Sequence, residues 1–236
     1  MMRRVLAPHY RLRAVPCLTL ALAILAATGL AYRETPRATK DPAQIAAQVR
    51  AALRVADQES KVKLDGVGIL WLTDNEDTWT AGFMEQIKKW VAAGHVCWMD
   101  VELGSRFGAN HVSGGTTDVA VVPAGAQNHP LAAGVRAVRA ADTFEAMQTV
   151  PDGARPILVS AFRAEHVVAA AWPIGKGLIV FRPRPRPDEI TWAIKCHRRW
   201  IEPDLLDGAA FLNNLNLVSL DTLSKAGFPL RTAPAP

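Results

Sequence analysis

The sequence predicts an α/β domain: an open, mostly parallel sheet flanked by helices, with an antiparallel hairpin late in the chain and a hydrophobic helix ahead of it. Three observations predict it. A strand–helix–strand pattern runs from Val67 to Val101, a third apolar strand follows at Asp118–Gly125, and two apolar runs meet across Gly175-Lys176-Gly177.

The chain has 236 residues, half of them hydrophobic, enough for one substantial core. Its beginning is set apart. Arg3, Arg4, Arg11 and Arg13 precede the uncharged run Ala14–Tyr32, which reads as a signal peptide or a single membrane anchor. Gly29-Leu30-Ala31 offers the small residues of a cleavage site, while the length of the run suits a span, so both readings stay open. The positive flank predicts an extracytoplasmic domain, either secreted or periplasmic, or held by residues 14–32 with the amino terminus in the cytoplasm.

The expected partition is therefore 1–32 signal peptide or anchor, 33–60 linker and amphipathic helix, 61–225 α/β domain, and 226–236 tail. Asp41-Pro42-Ala43-Gln44 has the form of a helix start, and Ile45, Val49, Ala52, Leu53 and Ala56 share one face, which predicts a helix over 42–57.

The formal charge of +5 divides unevenly. Residues 1–31 hold four of the 27 Lys and Arg and none of the 22 Asp and Glu, which leaves 23 basic against 22 acidic residues. A near-neutral domain excludes nucleic acid as the expected partner. Cys97 and Cys196 could pair in an oxidising compartment, but Cys97 falls in the apolar run HVCWMDV and is more simply a buried strand residue.

VGILWL (Val67–Leu72) reads as a buried strand, and TDNED as a loop with helix-capping residues. Trp79, Phe83, Ile87, Trp90 and Val91 then recur at helical spacing until Gly94, before the strand His95–Val101. Leu103–Thr117 reads as a loop. In the second half Ile157–Phe162, His166–Ile174 and Gly177–Pro183 are short apolar runs with tight connections, which predicts antiparallel pairing. Gly175-Lys176-Gly177 could be mistaken for a phosphate loop. Its glycines feed a strand rather than a helix amino terminus, so a hairpin turn is expected. The apolar stretch DGAAFLNNLNLVSL predicts a buried closing helix, packed on the sheet or on a second copy as a homodimer.

The hairpin, with Trp172 and Pro173 ahead of Gly-Lys-Gly, resembles the late hairpin of the class I glutamine amidotransferase-like superfamily, in particular its trehalose-utilisation (ThuA-like) branch. VGILWL, DVAVVPAG, His129-Pro130-Leu131-Ala132-Ala133-Gly134-Val135 and the closing helix resemble its elements in order, over roughly Val67–Leu220. The resemblance implies a flavodoxin/amidotransferase-like scaffold. It does not imply glutamine hydrolysis, because neither Cys97 nor Cys196 stands on a strand-to-helix elbow, and no GxCxG or GxSxG occurs.

Ligands of open α/β sheets bind at the carboxyl ends of parallel strands. That places Asp74, Glu76, Asp77, Asp100 and Glu102 on one rim, with His111 and His129 in neighbouring loops. Such residues could bind a divalent metal, with Asp74 and Asp100 as its first candidates, or supply an acid and a base; equally, Asp74–Asp77 could only cap the following helix. No other cofactor is indicated. Arg182, Arg184 and Arg186, alternating with prolines, and Arg198 and Arg199 could meet an anionic partner or form a surface excursion.

Two functions follow. The first is an exported or tethered, non-catalytic domain binding a carbohydrate or protein partner. The alternative is a hydrolase, carbohydrate-active or other, using rim carboxylates with or without a divalent metal.

Overall fold

A computed structural model describes residues 41–73, 79–186 and 199–230, with the backbone alone for 113–116. Helix α1 (Pro42–Ala52) starts where Asp41 accepts a hydrogen bond from the Ala43 amide at 3.0 Å, with Pro42 in the first turn. It ends five residues earlier than expected. Leu53 turns extended, and Leu53–Ala56 becomes strand β1, parallel to β2 (Ile69–Leu72). The apolar residues Leu53 and Ala56 that extended the helical face thus belong to a strand, where tertiary pairing overrides a short periodic signal.

Helix α2 (Ala81–Ala92) is capped by Thr80, whose hydroxyl accepts from the Phe83 amide at 3.2 Å. It returns the chain to β3 (Val96–Asp100), parallel to β2. The next strands are β4 (His111–Val121), β5 (Ala137–Met147), β6 (Arg155–Ser160), β7 (Val167–Ile174), β8 (Gly177–Arg182) and β9 (Ile201–Leu206), and helix α3 (Gly208–Lys225) closes the fold.

The nine strands form one sheet in the order β1-β2-β3-β8-β7-β6-β4-β5-β9. The expectation of an open, mostly parallel sheet is overturned. Three pairings (β1–β2, β2–β3, β3–β8) are parallel and six are antiparallel, and β5 also pairs with β7, which closes β4, β5, β7 and β6 into a ring. The cause is in the connections. Among the described residues only short 3₁₀ turns, and no α-helix, stand between consecutive strands from β3 to β9, and parallel neighbours need a crossover that is usually helical. The strand expected over Asp118–Gly125 is the end of β4, which stops at Val121 and runs antiparallel to β5 and β6 rather than as a third parallel strand. The resemblance to the amidotransferase-like superfamily and its ThuA-like branch fails with it, because that resemblance implied an open parallel sheet.

The membrane-spanning helix and signal peptide expected of residues 14–32 find no support: those residues lie outside the described ones, and among the latter no helix is long and apolar enough to cross a membrane. Cys196 and the tail beyond Leu230 also lie outside.

Alternate residues of the parallel strands face opposite layers. Ile69, Trp71, Val96, Trp98 and Val180 pack beneath α1 and α3, against Ile45, Val49, Phe211, Leu215 and Leu223. Leu70, Leu72, Cys97, Met99, Ile179 and Phe181 pack beneath α2, against Phe83, Met84, Ile87 and Val91. Each of the larger side chains contributes roughly 1.5–3 kcal/mol by leaving water.

The turn between β7 and β8 is two residues, with Ile174 opposite Gly177 and Gly175 in the left-handed region at φ 57°. It is pressed against the end of α2. The Lys176 amide donates to the Ala92 carbonyl at 3.0 Å, and a Cβ on Gly177 would collide with the backbone oxygens of Val91 and His95. Close packing, not phosphate binding, explains these glycines.

Candidate functional site

The carboxyl ends of β2, β3 and β8 open onto a group of buried charged residues. After β3 the chain enters a 3₁₀ turn, Val101–Phe107, which buries Glu102, and Gly108 at φ 82° turns it toward β4. His111 opens β4 and pairs with Met147 of β5, so His111 and Glu145 lie diagonally across one antiparallel ladder. Beyond β8, the prolines at 183 and 185 favour an extended backbone and Arg184 projects between them.

One ligand atom each from Glu102, His111 and Glu145 lies within 4.8 Å of the others. His111 Nε2 is 3.1 Å from Glu145 Oε2. Arg184 places Nε and Nη2 each 2.6 Å from Glu102 Oε1, and Nη2 3.7 Å from Glu145 Oε2. Arg199 pairs with the other oxygen of Glu145, Oε1. Glu102 is 2% exposed and Glu145 6%. Carboxylates buried this far need such compensation, because removing a charge from water costs several kcal/mol.

Two further charged residues, Asp100 and Arg182, are buried two positions before Glu102 and Arg184 in the chain. Asp100 and Arg182 are partners across the parallel β3–β8 ladder. The Arg182 guanidinium lies 3.9 Å from the ring centre of Trp71 and 5.3 Å from that of Trp98, and Trp71 Nε1 donates to Asp100 Oδ1 at 3.2 Å. Trp98 Nε1 reaches the Ser219 hydroxyl of α3 at 3.0 Å, which ties this layer to the closing helix.

Of the rim candidates, the structure brings Glu102 and His111 together, and buries Asp100 at the end of β3 where it accepts from Trp71 Nε1. Asp74, Glu76 and Asp77 lie outside the described residues. His129 stands apart: its Nδ1 accepts from the Leu131 amide at 3.2 Å, capping the turn Pro130–Ala132, and burial followed by the charge of Arg155 lowers its pKa. Among the arginines, Arg182, Arg184 and Arg199 turn inward to the acids and indoles rather than forming a surface excursion; Arg186 is half-buried, and Arg198 lies outside the described residues.

Glu145 was missed, because the strand that carries it was not read. Its signal is a lone carboxylate inside the apolar run Phe144-Glu145-Ala146-Met147, where only a partner makes burial tolerable. Cys97 is fully enclosed in β3, and burial pushes its thiol well above the usual range, so it supplies no nucleophile. Two surface concavities lie elsewhere. One of about 170 Å³ is lined by Gln48, Arg54, Gly66 and Phe228, and one of about 270 Å³ by Asp118, Arg139, Asp142 and Glu202.

The chain matches no protein-family model and no curated protein. Among solved structures it is similar to β-galactosidase from Bacillus circulans sp. alkalophilus, at 11% identity and a TM-score of 0.42 over 72% of this chain and 24% of that one. The chain thus spans about a quarter of that protein's length, and a likeness at this level carries no argument about fold or chemistry. The Glu102, His111 and Glu145 group can hold a metal ion, since neutral imidazole and carboxylate are both ordinary ligands of divalent cations.

Proposed function

We propose that the domain is a hydrolase of the metal-assisted kind, with Glu102, His111 and Glu145 as its cation ligands. The observation that carries the reading is their convergence: an imidazole nitrogen and two carboxylate oxygens, from a 3₁₀ turn and two strands, within 4.8 Å of one another. Metal–ligand bonds of about 2.0–2.2 Å require only small inward movements of these atoms.

Three protein ligands leave coordination positions open, the arrangement of catalytic rather than structural sites. A cation there would supply Lewis acidity toward a carbonyl or phosphoryl oxygen. The chain's own residues position it: β4 and β5 hold His111 and Glu145 in fixed register, and the 3₁₀ turn brings Glu102 to them. This chemistry needs no nucleophilic side chain, in keeping with the enclosed Cys97.

A second reading, a non-catalytic domain binding a carbohydrate or protein partner, is favoured by one observation. Arg184 and Arg199 already neutralise both carboxylates, so the centre is satisfied as an ion-pair network.

The test is metal content of the purified full chain, melting temperature with Zn²⁺, Mn²⁺, Mg²⁺ or chelator, and turnover of nitrophenyl phosphate, acetate and glycosides. A bound ion, a melting shift and cation-dependent turnover, all lost in His111→Ala and Glu102→Gln, are expected. An ion-free chain indifferent to every cation would leave the partner-binding reading.

A further inference from the structure

We propose that the concavity at the amino ends of β1 and β2 is a binding site for a small carboxylate with an apolar body, separate from the cation centre. It lies at the opposite end of the parallel strands from Glu102, which follows the carboxyl end of β3. Nothing in it requires a bound cation.

The end of α1, the start of β1, the turn at Gly66 and the segment after α3 meet around it. Ala51, Ala52, Phe228, Pro229 and Leu230 give it an apolar wall. That wall is held in place. The Phe228 amide donates to the Leu223 carbonyl at 2.9 Å, its ring meets His95 edge to face at 5.7 Å, and a Cβ on Gly68 would press against it. At Gly66, which takes φ 71°, an added Cβ would meet nothing within 4 Å, so the space is open on that side. An apolar cavity of about 150 Å³ holds a benzene ring. The volume here, about 170 Å³, suits a body of that size.

Arg54 and Gln48, on the same lining, set the chemistry. Arg54 donates from Nη1 to the neighbouring Leu53 carbonyl at 2.9 Å, and among the described residues no carboxylate pairs with it, although Asp65 stands next to Gly66 in the chain. Its guanidinium therefore keeps donors for an anion, and the planar group matches a carboxylate through two parallel hydrogen bonds. Gln48 Oε1 is enclosed without a hydrogen-bond partner, so the Gln48 amide has unmet hydrogen-bonding capacity at this wall. A cation, a free amide and an apolar wall together select a ligand with a negative head and an apolar body. A bare inorganic anion would leave the wall wet, and a neutral apolar molecule would leave Arg54 unanswered.

Such a ligand bridges α1, β1 and the segment after α3, and so raises the melting temperature. The experiment is amide correlation NMR of the full chain titrated with benzoate, with benzyl alcohol, which has the same body and no charge, and with acetate, which has the charge and no such body. Saturable benzoate shifts at the Ala52, Arg54, Gly66 and Leu230 amides are expected, with a dissociation constant in the millimolar range or lower and at least about fivefold below those of both controls. A benzoate-dependent rise in melting temperature should accompany them. Arg54→Gln, at an exposed position, should weaken benzoate at least about fivefold and leave benzyl alcohol unchanged. No saturable shift, benzoate shifts confined to other amides, equal binding of benzoate and either control, or an Arg54→Gln chain that binds benzoate as the wild type does would each overturn the proposal.

Discussion

Arg184 meets Glu102 through two donors on a single oxygen, Nε and Nη2 each 2.6 Å from Oε1, in a place where the acid is 2% exposed. The pair joins the end of β8 to the turn after β3, and through Nη2 it reaches Glu145 on β5. One side chain therefore ties the parallel half of the sheet to the antiparallel half.

Arg184→Gln should destabilise the fold by about 3–5 kcal/mol, because it strands a buried carboxylate. Urea denaturation followed by tryptophan fluorescence measures it. The double variant Arg184→Gln with Glu102→Gln should recover part of the loss. A double-variant loss equal to the sum of the Arg184→Gln and Glu102→Gln single losses would show that the pair is not coupled.

Two glycine substitutions should act in opposite directions. Gly177→Ala drives a methyl into the Val91 and His95 carbonyls, which are backbone and cannot swing away, and should cost about 3 kcal/mol or more. Gly82, exposed within α2, has nothing within 4 Å of a built Cβ, so Gly82→Ala should stabilise by about 0.5–1 kcal/mol. Thermal melting of both variants tests the packing at the end of α2.

Asp207 carries a pH dependence with a definite sign. Its Oδ2 accepts from the amides of Arg136 at 2.8 Å and Ala137 at 3.3 Å, and these bonds hold its pKa below the ordinary value of 3.8. The stabilisation is complete above the unfolded value and disappears as pH falls through the lower folded one. Asp207→Asn should thus be less stable than wild type at neutral pH, and the difference should shrink below about pH 4. Parallel melting curves from pH 7 to pH 2 decide it; a gap that widens on acidification would be the wrong sign.

Cys97 should resist iodoacetamide in the native chain and react on unfolding, since burial both shields its sulfur and disfavours the thiolate. Mass mapping of the Cys97 peptide distinguishes it from Cys17 and Cys196. Rapid native labelling would contradict the enclosed β3.

Local patterns were the legible part. The apolar runs VGILWL and HVCWMDV flank a helix with a clear face, and Gly175-Lys176 sits where a two-residue turn must sit. Partner choice was not legible. Val119 and Val121 would suit either kind of sheet, and only the location of β5 makes their strand antiparallel. That strand opens with a mixed stretch of Ala, Arg, Asp and Thr that hides the short apolar run at its end, so Glu145 went unseen and the site could not be assembled. Arginines 184 and 199 looked like surface charges because their partners lie far off in sequence. Glu102 could be named because it follows the strand His95–Val101 directly, and His111 because it falls in the segment expected to be the loop after that strand.

The strand order has a consequence for behaviour at high concentration. Ring closure leaves β4, β5, β6 and β7 with neighbours on both sides, so the described sheet ends only at β1 and β9. The first is four residues long, and the second contains Pro203 and breaks register against β5. Neither border is a long flat template for a further strand, so this fold is guarded against edge-to-edge growth into fibrils despite its high strand content.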